Sequence, residues 1–313
     1  MDVLSDNVIL EFHPDTLRVV RKEINLNKPG EIKDALAILK EWVQAQRHFK
    51  KKDFADHYLE STLIAAKGSI ERAKKLLDGM CTLRTLLPKF FNSFNVRRDT
   101  YEFSKVTCPV LLPKLTKDHH RVYVAKAIGN FSTAEQYLQF YKFCALMGEY
   151  AKLHDYVANI EVVLDLAESN ILKIVSVMDV VDLRHGLTIL MDGFGLRIKG
   201  IHIITESKTV EALLALLKQV LKPKAVYRMH TYKSREAVCN IIGEDVLPVD
   251  LGGTERSLDT LKEEWLNVLS SEDFTRYIED LYKGGTDETR RASVKFNEEY
   301  SGLPGTFRVL TLD

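Results

Sequence analysis

The sequence contains no run approaching the ~20 continuous apolar residues that a membrane-spanning helix needs. It has no surplus of either charge, with 44 Lys and Arg against 44 Asp and Glu. A general nucleic-acid binder carries a basic excess, so a nucleic-acid partner is not expected. Cysteine is scarce. Cys81, Cys108, Cys144 and Cys239 are widely spaced, with no C-x-x-C pair. That pattern argues against a disulfide framework and for a reducing, cytoplasmic setting. Met1-Asp2-Val3-Leu4-Ser5-Asp6 holds no basic segment followed by an apolar core, so a secretory signal is not expected either.

Catalytic signatures are missing as well. There is no G-x-x-x-x-G-K-[ST], no G-x-S-x-G and no H-E-x-x-H. Gly193-Phe194-Gly195 precedes an expected strand, whereas a dinucleotide loop follows one and opens a helix. Asp118-His119-His120 comes nearest to a metal cluster, but adjacent strand residues point to opposite faces. A turn with solvated imidazoles is the expected reading. His202 and His230 lie in or beside strands and are expected to be hydrogen-bonded core or groove residues. Neither an enzyme, a metal site nor a cofactor is therefore expected.

What is present is an ordinary globular mix, 45% hydrophobic and 28% charged, long enough for about two domains. Residues 1–94 read as a helical bundle. Ile32, Ala35, Leu36 and Leu39 recur at helical spacing after Pro29-Gly30, a second helix runs near Asp53–Ile64, and Ser69 is a fitting N-cap for a third. Residues 95–256 change character. Val106–Leu112, bounded by prolines, reads as an edge strand or loop, and Arg121–Ala127 as a strand. Phe131-Ser132-Thr133-Ala134 then opens a long helix through Tyr150. Ile160–Leu166 is a nearly continuous apolar run, the mark of a strand covered on both faces. Helices are expected at Asn170–Ser176, Asp179–Met191 and Val210–Leu221, and strands at Leu196–Ile204 and Ala225–Met229. This alternation predicts an α/β fold with a mostly parallel sheet. Residues 257–313 form a helical, then charged, then extended tail.

The segment Phe194–Lys224 is the most informative. Strand alternation puts Leu196 and Ile198 on one face and Arg197 and Lys199 on the other, and Gly200 interrupts it as a bend or bulge would. The next helix aligns Val210, Leu213, Leu214, Leu217 and Leu221 in one apolar stripe, with Lys224 and Arg228 just beyond. Periodicity alone fits a packed core and the wall of an apolar cavity equally well.

At these residues the chain resembles the CRAL-TRIO lipid-binding family. Ile70–Arg84 resembles the end of the family's N-terminal helical domain. Val162-Val163-Leu164-Asp165-Leu166 is similar to its central strand, and Leu196–Ile204 to its most recognisable one. Leu247-Pro248-Val249-Asp250-Leu251-Gly252-Gly253 resembles the element that closes the lipid domain. Gly305–Asp313 resembles a tail common in insect members. The resemblance implies a carrier of one small hydrophobic molecule, of the retinoid, carotenoid, tocopherol or sterol class, beneath a helical lid at Val210–Leu221. By position it implies a wall of Val162, Leu164, Leu190, Phe194, Leu196, Ile198 and Ile201. The lid face would be Val210, Leu213, Leu214 and Leu217, with Phe140 and Cys144 added from the preceding helix. It also implies transient membrane contact through anionic lipids, with phosphoinositide headgroups at Arg197, Lys199, Lys224 and Arg228. Some positions depart from the pattern. Thr62-Leu63-Ile64-Ala65-Ala66 replaces an arginine-rich stretch, Gly195 replaces a proline, and Thr205-Glu206-Ser207 replaces Asn-x-Pro. A lipid-sensing interaction module that transfers nothing is the alternative reading.

Overall fold

The computed structural model describes residues 4 and 7–291. The expected motif at 305–313 lies outside them. The helical half holds α1 (Thr16–Glu23), α2 (Glu31–Ala45), α3 (Asp56–Ala65) and α4 (Ile70–Leu86), then the short α5 (Pro88–Phe91) and α6 (Val96–Asp99). Helix α2 buries Ile32, Ala35, Leu36, Leu39 and Val43, the stripe set by their spacing. Ser69 caps α4 by accepting a hydrogen bond from the Arg72 amide.

The second half is built on a five-stranded sheet of order β1 (Thr107–Leu115), β2 (Arg121–Ala127), β3 (Asn159–Asp165), β4 (Arg197–Ile204) and β5 (Met229–Tyr232). Only β1 runs antiparallel to its neighbour. It occupies an edge, where a proline-bearing strand is tolerated. Helix α7 (Ala134–His154), capped by Thr133, crosses from β2 to β3. Helices α8 (Ile171–Ser176) and α9 (Val180–Thr188) lead to β4, and α10 (Val210–Val220) and α11 (Pro223–Val226) lead to β5. The strand expected at Ala225–Met229 is a correction. Pro223 at the first helical position, with its φ preset, starts α11 there, and the strand follows at Met229–Tyr232. Then come α12 (Arg235–Ile242), α13 (Leu258–Leu269) and α14 (Glu272–Tyr282). Helix α13 covers β1 through Trp265, fully buried, whose indole N–H donates to the Leu111 carbonyl at 2.8 Å.

Between α9 and β4 the chain makes one π-helical turn, Ile189–Gly193, in which the Phe194 amide reaches back to the Ile189 carbonyl at 2.9 Å. Here α4 presses against the α/β half. A Cβ on Gly193 would lie 2.7 Å from Met80 Sδ, and one on Gly195, at φ +72°, would lie 2.9 Å from Ala65. The glycine pair, set aside above as a dinucleotide loop, is thus a close-packing device between the halves.

Candidate functional site

The front of the sheet, α7, α9, the π-turn and α10 enclose a cavity of ≈ 290 Å³. That is near the lower end of small-molecule sites, about 300–1,000 Å³. Strand β3 contributes Ile160, Val162 and Leu164, which alternation turns to one side. Strand β4 contributes Ile198 and Ile201, three residues apart, which simple alternation forbids. The register explains it: Ile160 faces Ile198, but Glu161 faces Gly200, so a bulge at Lys199 restores Ile201 to the cavity side.

Of the residues singled out from the sequence, the structure brings Phe140, Cys144, Val162, Leu164, Leu190, Leu196, Ile198, Ile201, Leu213 and Leu217 onto this wall. It places three elsewhere. Phe194 is buried against α7, its ring in the space left by Gly148, where a Cβ would sit 2.5 Å from the ring. Val210 is buried at the first turn of α10 without reaching the cavity. Leu214 is half-exposed, while its neighbour Leu216 is buried. Residues that periodicity missed include Tyr123 and Ala125 on β2, Tyr137 and Tyr141 on α7, and Leu183 and Leu187 on α9. The signal for Tyr137, Tyr141 and Cys144 was present as i, i+4 and i+3 steps along one helix face.

Nearly every polar group on the wall is already engaged. Arg121 donates to Asp155 at 2.8 Å through Nε and stacks on the Phe12 ring. The Tyr137 hydroxyl donates to the Ile174 carbonyl at 2.8 Å. Tyr123 and the Cys144 thiol share a contact of 3.3 Å, and burial pushes that thiol up to about 12, so it stays protonated. Burial also raises Tyr123 and Tyr141 above the usual phenol range. The thiol and both phenols therefore stay protonated near pH 7.

The basic residues have separate surroundings. Arg197 binds the Asn159 amide oxygen at 2.8 Å and the carbonyls of Ile64 and Ala65, pinning β4 to the end of α3. Arg228 donates to the Ile198 carbonyl. Lys224 is exposed on α11. Lys199 opens onto a different cleft, behind the sheet, lined also by His120, Glu161, His202 and Tyr232.

In that cleft the histidine turn is corrected. His119 and His120 do sit in a turn, but their rings are not solvated. His120 Nδ1 lies 2.8 Å from Glu161 Oε1, and His119 Nδ1 lies 3.2 Å from the Thr16 hydroxyl. His202 Nε2 meets the other Glu161 oxygen at 3.1 Å, as a hydrogen-bonded groove residue should. Burial pushes the Glu161 carboxyl up. The hydrogen bonds to both histidines outweigh that and hold it down at about 2. Among the described residues no group of three His, Cys, Asp or Glu is arranged to hold a metal ion. No described helix is long and apolar enough to cross a membrane.

A parallel sheet hollow on one face, roofed by a helix and braced by a helical N-terminal unit, defines a class of protein built round an apolar chamber. Residues 106–253 match the CRAL/TRIO domain, and residues 28–101 match a family described as "Pinta-like, UBA domain". A CRAL/TRIO domain thus makes up residues 106–253 of this chain. Among curated proteins, "Alpha-tocopherol transfer protein-like" of Mus musculus is 34% identical over 89 residues, 28% of this chain and 26% of that protein. The Homo sapiens protein of the same name is 32% identical over 89 residues, with the same shares. The match thus spans about a quarter of these relatives' length. The crystal structure of Sfh5 overlays 87% of this chain and all of its own, with a TM-score of 0.41 and 14% identity.

Proposed function

We propose that this protein holds one small, water-insoluble molecule, of the retinoid, carotenoid, tocopherol or sterol class, in the chamber under α10 and delivers it to membranes. The observation that carries this reading is the cavity of ≈ 290 Å³ walled by side-chain carbon. Water gains little in such a space, whereas hydrocarbon gains ~0.8 kcal/mol per buried CH₂. The relatives' printed name supports the ligand class. No catalytic step is part of the proposal.

Helix α10 serves as the cover. Leu213 and Leu217 look inward, and half-exposed Leu214 is the leucine offered first to a bilayer. Exposed Lys224 and Lys218 set positive charge near the end of that helix, which suits anionic lipid, while Lys222 is paired with Asp192. Phosphoinositide recognition by Arg197, Lys199, Lys224 and Arg228 is the finer form of this idea. Lys224 is its best-supported member, because Arg197 and Arg228 are engaged within the fold.

The test is organic extraction of the purified protein, followed by mass spectrometry. A defined apolar compound near one per chain is expected. If nothing is extracted and no retinol, tocopherol or cholesterol loads from vesicles, the reading fails. In vesicle transfer, Leu214→Asp is expected to slow delivery and Leu217→Asp to reduce retention. Unchanged rates in both would remove α10 from the role.

A further inference from the structure

Adjacent arginines occur twice in this chain, each time three and two residues before a hydroxyl: Arg97-Arg98-Asp99-Thr100 and Arg290-Arg291-Ala292-Ser293. A protein kinase that selects arginine reads two guanidinium groups at those positions with acidic side chains, on a peptide held extended. The structure separates the two cases. The first pair is folded into α6. Thr100 is buried, its hydroxyl donates to the Val96 carbonyl at 2.7 Å, and Arg98 Nε donates to Asp99 at 2.6 Å. The second pair closes the described residues. Arg290 is open to solvent, with 70% of its side chain accessible. Ser293 lies just outside the described residues and is followed by apolar Val294.

Arg291 fastens a strap. Residues 284–291 cross the helical half, where the Lys50 amide donates to the Gly285 carbonyl at 3.0 Å and the Asp287 amide to the His48 carbonyl at 2.7 Å. The Thr286 amide donates to the Thr85 hydroxyl at 2.7 Å. Arg291 then donates to Asp78 Oδ2 at 2.7 Å and Thr82 Oγ at 2.8 Å, both on α4, and to Glu288 at 2.7 Å. Two residues of extended chain span at most about 7 Å, so a charge on Ser293 acts on this cluster at short range. A phosphoryl group brings nearly two negative charges. It competes with Asp78 and Glu288 for the Arg291 guanidinium and repels both carboxylates.

We propose that Ser293 is a phosphorylation site for an arginine-directed protein kinase, and that its phosphate releases the strap at 284–291 from α4. In the transfer the Ser293 oxygen bonds the γ-phosphorus of Mg-ATP, and the bond from that phosphorus to the oxygen bridging the β-phosphate breaks. ADP leaves with that electron pair, and the hydroxyl proton passes to the kinase's carboxylate base. Reading both arginines requires Arg291 to leave Asp78 and Thr82, so the strap also limits how often the kinase engages. The proposal does not depend on what fills the chamber.

The experiment incubates the full chain with Mg-ATP and the catalytic subunit of cyclic-AMP-dependent protein kinase, an enzyme of that specificity. About one phosphate per chain is expected, placed on Ser293 by peptide mass spectrometry and lost in Ser293→Ala. Arg290→Gln should slow incorporation at least about tenfold, and Thr100→Ala should leave it unchanged. Thr82→Val removes one acceptor from Arg291 and should speed incorporation about threefold. In hydrogen exchange, the Lys50 and Asp287 amides should exchange faster after phosphorylation. No phosphate, or phosphate mainly on another residue, would overturn the site. Unchanged exchange at both amides would overturn the release of the strap. An unchanged rate in Thr82→Val would overturn the strap's hold over the kinase.

Discussion

Along β3, Ile160, Val162 and Leu164 look into the chamber, whereas Glu161, Val163 and Asp165 look the other way. The second set is satisfied within the chain. Glu161 bridges His120 and His202, Val163 has no exposed surface, and Asp165 accepts from Arg235 Nε at 2.8 Å. The first set borders space. One strand thereby serves two purposes, because period-two alternation assigns stability to one face and vacancy to the other. Helical elements alone separate such roles less cleanly, since neighbouring positions on a helix differ by only about 100°.

The comparison breaks most sharply at Val163. Val163→Asp puts an unpaired carboxylate among filled side chains and should cost at least about 4 kcal/mol. Urea unfolding measures it, and a loss under 1 kcal/mol would mean that the rear is not tightly filled. Glu161→Gln should cost about 1–3 kcal/mol at pH 7, since it removes the charge and one of the two acceptors that the histidines share. The acid response has a definite sign. The folded-state carboxyl is depressed from 4.5 to about 2, so its contribution is whole above 4.5 and is lost as pH falls from there toward 2. Glu161→Gln should flatten that window in a pH series of melting curves. A smaller contrast comes from adjacent truncations. Val163→Ala should cost about 1–2 kcal/mol more than Val162→Ala, because only the former opens a new void. Smallest in stability is Val162→Trp. It should shift unfolding by less than about 1 kcal/mol yet abolish uptake of diphenylhexatriene, because the ring occupies existing space.

Much of this architecture was written in local pattern. Ser69 announces its helix by capping chemistry, and Arg121–Ala127 has the bounds read from its residues. The error at β5 came from reading Ala225 and Val226 as strand formers when Pro223 had already preset a helical turn. In the chamber, Val162 and Leu164 were implied by the family resemblance, and alternation along β3 is the physical reason both turn to the same side. The phase of α10 was harder to fix, because Leu213, Leu214, Leu216 and Leu217 form two overlapping stripes and only tertiary packing chooses between them. Phe194 was misplaced because the hollow that receives it is the missing side chain of Gly148 on a distant helix.

The bulge at Lys199 and Gly200 has a bearing on how this chain tolerates change. Gly200 leaves room where any Cβ would collide with the Glu161 carboxylate, and the extra residue beside it sets the phase of everything downstream in β4. Conservative exchanges of Ile198 or Ile201 alter the shape of the chamber by degrees. Deleting one residue at this point would instead exchange inside for outside, sending Ile201 and Ile203 rearward and His202 into the oily space. Over generations, β4 is therefore free to drift in spelling but not in length.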